Sequence, residues 1–176
     1  MAAALAVSSP PFAAEAVGPT SAPWREGLPS AQLAGRGALS WWGLALYDAT
    51  LWVAPGFSQR EFDRSAFALE LSYQRPFRGP DIARRSIEEM RRDGGMSPAQ
   101  AQRWGEQLAA LLPDVAAGDR IVGVHRPGRG ASFFVNGRVL GEIADAQFSR
   151  RFFGIWLAPT TSEPGLRAAL LAATPP

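Results

Sequence analysis

The stretch that most limits what this chain can fold into is Leu39–Val53, Leu-Ser-Trp-Trp-Gly-Leu-Ala-Leu-Tyr-Asp-Ala-Thr-Leu-Trp-Val. It is rich in aromatic and β-branched residues, and Gly43 interrupts any helical reading. Taken with a period of two, it reads as one long strand. Leu39, Trp41, Gly43, Ala45, Tyr47, Ala49, Leu51 and Val53 fall on one face; Ser40, Trp42, Leu44, Leu46, Asp48, Thr50 and Trp52 fall on the other. Both sets are apolar in the middle, so both faces are expected to be covered. One face is small at Gly43, Ala45 and Ala49. Missing side-chain volume there leaves room for a ligand or for a helix to sit close.

The rest of the chain supplies partners for such a strand. Ser65–Phe77 alternates, with Phe67, Leu69, Leu71 and Tyr73 on one face and Ala68, Glu70, Ser72 and Gln74 on the other. That is the pattern of a half-buried strand. Gly79-Pro80-Asp81 opens a helix with Ile82, Ala83, Ser86, Ile87 and Met90 on its inner face. Glu88 and Glu89 sit on the polar side and read as solvated. Ser97, Pro98 and Gln100 predict a capped second helix that ends before Pro113. Residues 118–143 read as a three-strand meander turned at Pro127-Gly128 and Asn136-Gly137. The second pair is a strong hairpin signal because both turn residues need positive φ. Asp145 caps a helix carrying Phe148, Phe152, Phe153, Trp156 and Leu157, and a short last helix starts near Ser162. The fold class expected is α+β: a large, mainly antiparallel sheet with a layer of helices on one face.

At 176 residues, one domain is expected, over residues 38–174, able to bury roughly 70% of its unfolded surface. Residues 1–14 end in Phe12-Ala13-Ala14 and read as the remnant of a secretory signal, which would make the protein periplasmic or otherwise exported. Residues 15–37 read as a loose lead-in. No stretch is long and apolar enough to span a membrane. Cysteine is absent, which excludes thiol catalysis and disulfides. Every one of the 18 basic residues is Arg; they are scattered, giving nucleic-acid binding no support. His125 is the one histidine and has no ligand cluster around it in sequence, so it reads as structural, and neither a metal nor a cofactor is expected. Gly35-Arg36-Gly37 reads as a short turn.

Tyr73-Gln74-Arg75 stands out. Arg75 continues the apolar face of its strand, and an Arg there needs an anionic partner, either Asp48 or a ligand carboxylate.

Several motifs recur in one order: Gly35-x-Gly37-x-Leu39, Trp42-Gly-Leu-x-x-Tyr47-Asp-Ala-x-Leu51-Trp52, Tyr73-x-Arg75-x-Phe-x-Gly79, Gly118-Asp119-Arg, Phe134-x-Asn136-Gly137 and Phe153-x-Ile155-Trp156-Leu157. The set resembles the bacterial chalcone isomerase-like family over about residues 24–172. The resemblance implies an antiparallel sheet under a helical layer, with a ligand cleft between them, in a protein that is usually exported. The wider superfamily holds a true isomerase, fatty-acid-binding proteins and proteins of unassigned role. The isomerase's catalytic groups do not carry over. With its strand-to-helix Gly placed on Gly79, its Tyr, Asn and Lys fall on Ile82, Glu89 and Tyr73, and its Thr falls on Trp42. The superfamily's anion-binding Arg falls on Ser40.

The expectation is therefore non-catalytic binding of a small apolar or amphipathic, fatty-acid-like molecule in a cleft over the Gly43/Ala45 face. Trp42, Tyr47, Tyr73 and Arg75 are the expected ligand-binding residues. The alternatives are an isomerase or lyase, and a structural or interaction protein whose cleft its own side chains fill.

Overall fold

The computed structural model describes residues 23–176. The stretch from Leu39 to Val53 is a hairpin rather than one strand. Strand β1, Gln32–Trp41, turns through Trp42 and Gly43 into β2, Leu44–Val53. Both turn residues have positive φ, 51° and 76°. That is the two-residue turn whose twist matches paired strands. Gly43 is the signal that marks it. Trp42 hides it, because a large side chain is unusual at such a position. The expected lead-in over residues 15–37 supplies the first half of β1. The expected signal remnant at residues 1–14 lies outside the described residues.

The remaining strands are β3, Phe67–Tyr73; β4, Arg120–Arg126; β5, Gly130–Val135; and β6, Arg138–Ile143. They form one antiparallel sheet in chain order, β1 to β6. Two helices, α1 (Gly79–Arg91) and α2 (Pro98–Leu111), connect β3 to β4; α3 (Ala146–Leu157) and α4 (Pro164–Leu170) follow β6. This is the α+β architecture the sequence pattern calls for.

The helix starts follow local chemistry. Ser97 Oγ accepts from Gln100 N at 3.2 Å, and Gln100 Oε1 accepts from Ser97 N at 2.9 Å. That reciprocal pair is a capping box. Asp145 accepts from Gln147 N and Phe148 N to open α3, and also takes the Trp104 indole N–H at 3.0 Å. One carboxylate thus ties α2 to α3.

The main core lies between the sheet and the helices. Phe67 meets Phe153 edge-on at 4.9 Å, and Phe133 meets Phe152 at 5.3 Å. His125 is buried among them, stacked on Phe67. Its Nε2 donates to the Asp63 carbonyl at 2.8 Å, because a carbonyl can only accept. Its Nδ1 faces Ser149 Oγ at 2.7 Å, a hydroxyl that also donates to the Gly130 carbonyl at 3.0 Å. A smaller cluster of Trp24, Leu28, Ala68, Val122, Val124 and Phe134 covers part of the opposite sheet face.

Gly35 and Gly37 lie inside β1, not in a turn. A Cβ on Gly35 would stand 2.1 Å from the Ala169 carbonyl oxygen. The missing side chains let the last turn of α4 rest on the strand backbone, and Ala173 N donates to Ala34 O at 2.9 Å just beyond. Close approach of a helix is thus the use the strand makes of its small residues, but at Gly35 and Gly37.

Candidate functional site

Antiparallel register sets the centre of the site. Tyr47 on β2 pairs with Tyr73, the last residue of β3. Their rings meet at 6.0 Å and 68°, and Phe77 lies 5.6 Å beyond Tyr73. From the helical layer, Trp156 of α3 donates its indole N–H to Tyr47 Oη at 3.0 Å. Tyr73 is almost wholly buried. Burial pushes both phenols up, Tyr47 to about 12 and Tyr73 further, so both stay protonated at any physiological pH. They can donate hydrogen bonds but are poor bases.

Arg75 sits in the bend after β3 and is half-buried. The salt bridge expected with Asp48 does not form: Asp48 instead accepts from Gln74 Nε2 at 2.6 Å. The alternation that ought to aim Arg75 at Asp48 ends with the strand at Tyr73, so Gln74 takes the contact. No carboxylate pairs with Arg75 among the described residues.

Trp42 stands apart. It is 87% exposed in the hairpin turn, edge-on to Trp41 at 6.5 Å. The expected space over Gly43 and Ala45 is not a cleft, because both residues are exposed at the hairpin tip and nothing lies within 4 Å of a Cβ on Gly43. The structure therefore brings Tyr47 and Tyr73 together, sets Arg75 just past them, and leaves Trp42 outside. Two hollows occur elsewhere. A groove of about 530 Å³ runs between α1 and α2, along Ala83, Ile87, Ala101 and Gly105. A crevice of about 10 Å³ lies between Glu89 and Thr161. Neither is lined by Tyr47, Tyr73 or Arg75.

Two residues were not legible as part of this region. Trp156 reads in sequence only as one more apolar position of α3. Glu89 reads as solvated, yet its side chain is 10% exposed and takes Arg85 at 2.5 Å and the Ser162 hydroxyl at 2.9 Å. The loop after α3 folds over it, and helical spacing alone carries no sign of that.

The comparisons settle the family. The model of the chalcone isomerase-like family matches residues 31–172. The chain belongs to the chalcone isomerase-like family. The match covers every strand and helix described above except the short turn at Pro23–Gly27. An uncharacterised Haemophilus influenzae protein is 29% identical over 140 residues, 80% of this chain and 67% of that one. Among solved structures, a fatty-acid binding protein of Arabidopsis thaliana shares the fold, with a TM-score of 0.63 at 13% identity over 81% of this chain and 87% of that one. In this chalcone isomerase-like chain, the position expected to replace the isomerase's Thr is Trp42 on the exposed tip, away from the tyrosine pair. Among the described residues no group of three or more His, Cys, Asp or Glu could hold a metal. No described helix is long and apolar enough to cross a membrane.

Proposed function

We propose that this protein binds a small amphipathic molecule with an anionic head, of fatty-acid type, without converting it. The observation that carries the reading is Arg75: a half-buried guanidinium with no carboxylate partner among the described residues, two positions past the buried Tyr73. A carboxylate head takes a charge-assisted bond from Arg75 and a neutral one from Tyr73. Tyr47 and Trp156 form the apolar wall beside it. The tail enters by parting the seam between sheet and helices beside Trp156. The two phenols, held protonated, supply donors and no base, which favours binding over proton-transfer chemistry. The shared fold with a fatty-acid binding protein supports the reading. An exported compartment is part of the same proposal, supported by the signal-like Phe12-Ala13-Ala14.

A second reading has its own observation. The Trp156–Tyr47 bond closes the seam, as expected of an interaction protein with a filled cleft. Calorimetric titration with a long-chain fatty acid separates the two. Ligand binding predicts saturable one-to-one heat, and Arg75→Gln weakens it about tenfold or more, the worth of a charge-assisted bond. No saturable heat, or an unchanged Arg75→Gln, leaves the filled-cleft reading.

A further inference from the structure

The β1–β2 hairpin runs past the body of the sheet. Tyr47 pairs with Tyr73 at the end of β3, whereas β1 and β2 pair with each other on to Trp41 and Leu44. The overhang carries Trp41, Trp42 and Leu44, exposed at 68%, 87% and 53%. From Gly37 to Tyr47 there is no charged residue. Among the described residues five large apolar side chains are exposed: these three share the hairpin tip, Val139 lies at the same end of the sheet on the far edge strand, and Leu33 lies at the other end.

The same end offers an internal control. The β5–β6 hairpin turns through Asn136 and Gly137, at φ 47° and 80°. Asn-Gly is the pair such a turn prefers. The β1–β2 hairpin adopts the same backbone with Trp in place of Asn, at a conformational cost, and leaves that Trp in solvent. The ring contact it makes is with Trp41, itself exposed. An outlier of this kind points to a use outside the fold.

We infer that the Trp41-Trp42-Gly43-Leu44 tip is a membrane-docking finger that inserts into the interfacial region of a phospholipid bilayer. Indole rings suit that region, being apolar with one polar edge. The dimensions agree. Ser40 pairs with Ala45, next to the backbone row where β3 ends, and two further residues reach the turn, about 7 Å at strand rise. Interfacial insertion is about 5–10 Å deep. The shape argues against a protein partner, since three side chains on a convex tip fall short of the roughly 800 Å² a stable interface takes from each side.

Guanidinium donors for phosphate stand behind the tip. Arg78, Arg120 and Arg138 lie at this end of the sheet, and none makes a salt bridge among the described residues. Carboxylates share this end and keep their charge, each held by a donor of the protein other than these arginines. Asp48 takes Gln74, Asp114 takes Gly79 N, and Asp119 takes Ala116 N and Asn136 Nδ2. Asp81, in the first turn of α1, pairs with Arg84.

Co-sedimentation of the full chain with vesicles containing phosphatidylglycerol tests the inference, with tryptophan quenching by bromolipid as second readout. Wild type is expected to sediment with vesicles and to be quenched. Trp42→Asn supplies the turn's preferred residue, so it is expected to melt no lower than wild type and to partition about tenfold or more weakly, one buried aromatic being lost. Absence of vesicle binding by wild type overturns the inference, as does unchanged partitioning of Trp42→Asn. Self-association by sedimentation velocity that Trp42→Asn abolishes, without vesicle binding, also overturns it. Fatty-acid titration heat reports on the Arg75 site and does not enter this test.

Discussion

Replacing Gly35 by Ala tests the packing of α4 on β1 with one methyl group. The new Cβ would lie 2.1 Å from the Ala169 carbonyl oxygen and 2.5 Å from that of Leu170. Both are backbone atoms in the last turn of a helix, so no side chain can swing aside. Relief needs the whole turn to lift by about 1 Å or more, an ordinary contact being near 3.5 Å. Lifting it loosens Leu166 and Leu170, both buried against the sheet, and strains the Ala173–Ala34 bond. Gly35 has no left-handed φ, so the substitution carries no backbone penalty of its own. Overpacking of this kind costs about 1–3 kcal/mol, which for a domain of this size lowers Tm by about 2–12 °C. Scanning calorimetry measures it. Gly165→Ala is the control: Gly165 lies in the first turn of α4 with nothing within 4 Å of a Cβ, and its Tm is expected to hold or rise. A Gly35→Ala protein as stable as wild type would refute the reasoning that this glycine exists for helix approach.

Two further outcomes follow from buried polar groups. Burial holds the His125 pKa below its ordinary value, with the Asp63 carbonyl opposing; the unfolded chain therefore takes up a proton first. Stability is full above about pH 6.5, the unfolded value, and is lost as pH falls from there toward the folded value. Urea midpoints against pH show this slope in wild type and not in His125→Phe; a slope kept in the variant contradicts the assignment. Asp145→Ala removes two α3 capping bonds and leaves the fully buried Trp104 indole N–H without its acceptor, so urea unfolding is expected to show a loss of about 2–3 kcal/mol. A loss no larger than that of an exposed surface substitution would contradict the linking role.

The parts of the fold written in local chemistry were legible. The Ser97 capping box, the Asp145 cap and the Asn136-Gly137 turn each rest on residues within a few positions of one another. The alternation of β3 and the stripes of α1 and α3 needed only a period. Leu39–Val53 misleads for the opposite reason. Its turn holds a Trp where Asn or Gly is usual, so two strands read as one and the small residues between them read as a cleft. The functional region was legible in part. Tyr47 and Tyr73 share apolar faces that sequence shows, while their pairing depends on register. The escape of Arg75 from Asp48 turns on a bend one residue past the strand. The arrival of Trp156 over Tyr47 is a contact between distant segments, and no local pattern encodes it.

The proposed function places an anionic amphiphile in the Tyr47–Tyr73–Arg75 region. Amide and indole chemical-shift mapping of the 18.9 kDa chain during titration with a monomeric fatty acid tests it most directly. Saturable shifts are expected at Tyr47, at Tyr73 through Phe77, and at the Trp156 indole N–H as its bond to Tyr47 is displaced. Shifts confined to Trp41, Trp42 and Leu44, or none that saturate, would contradict it.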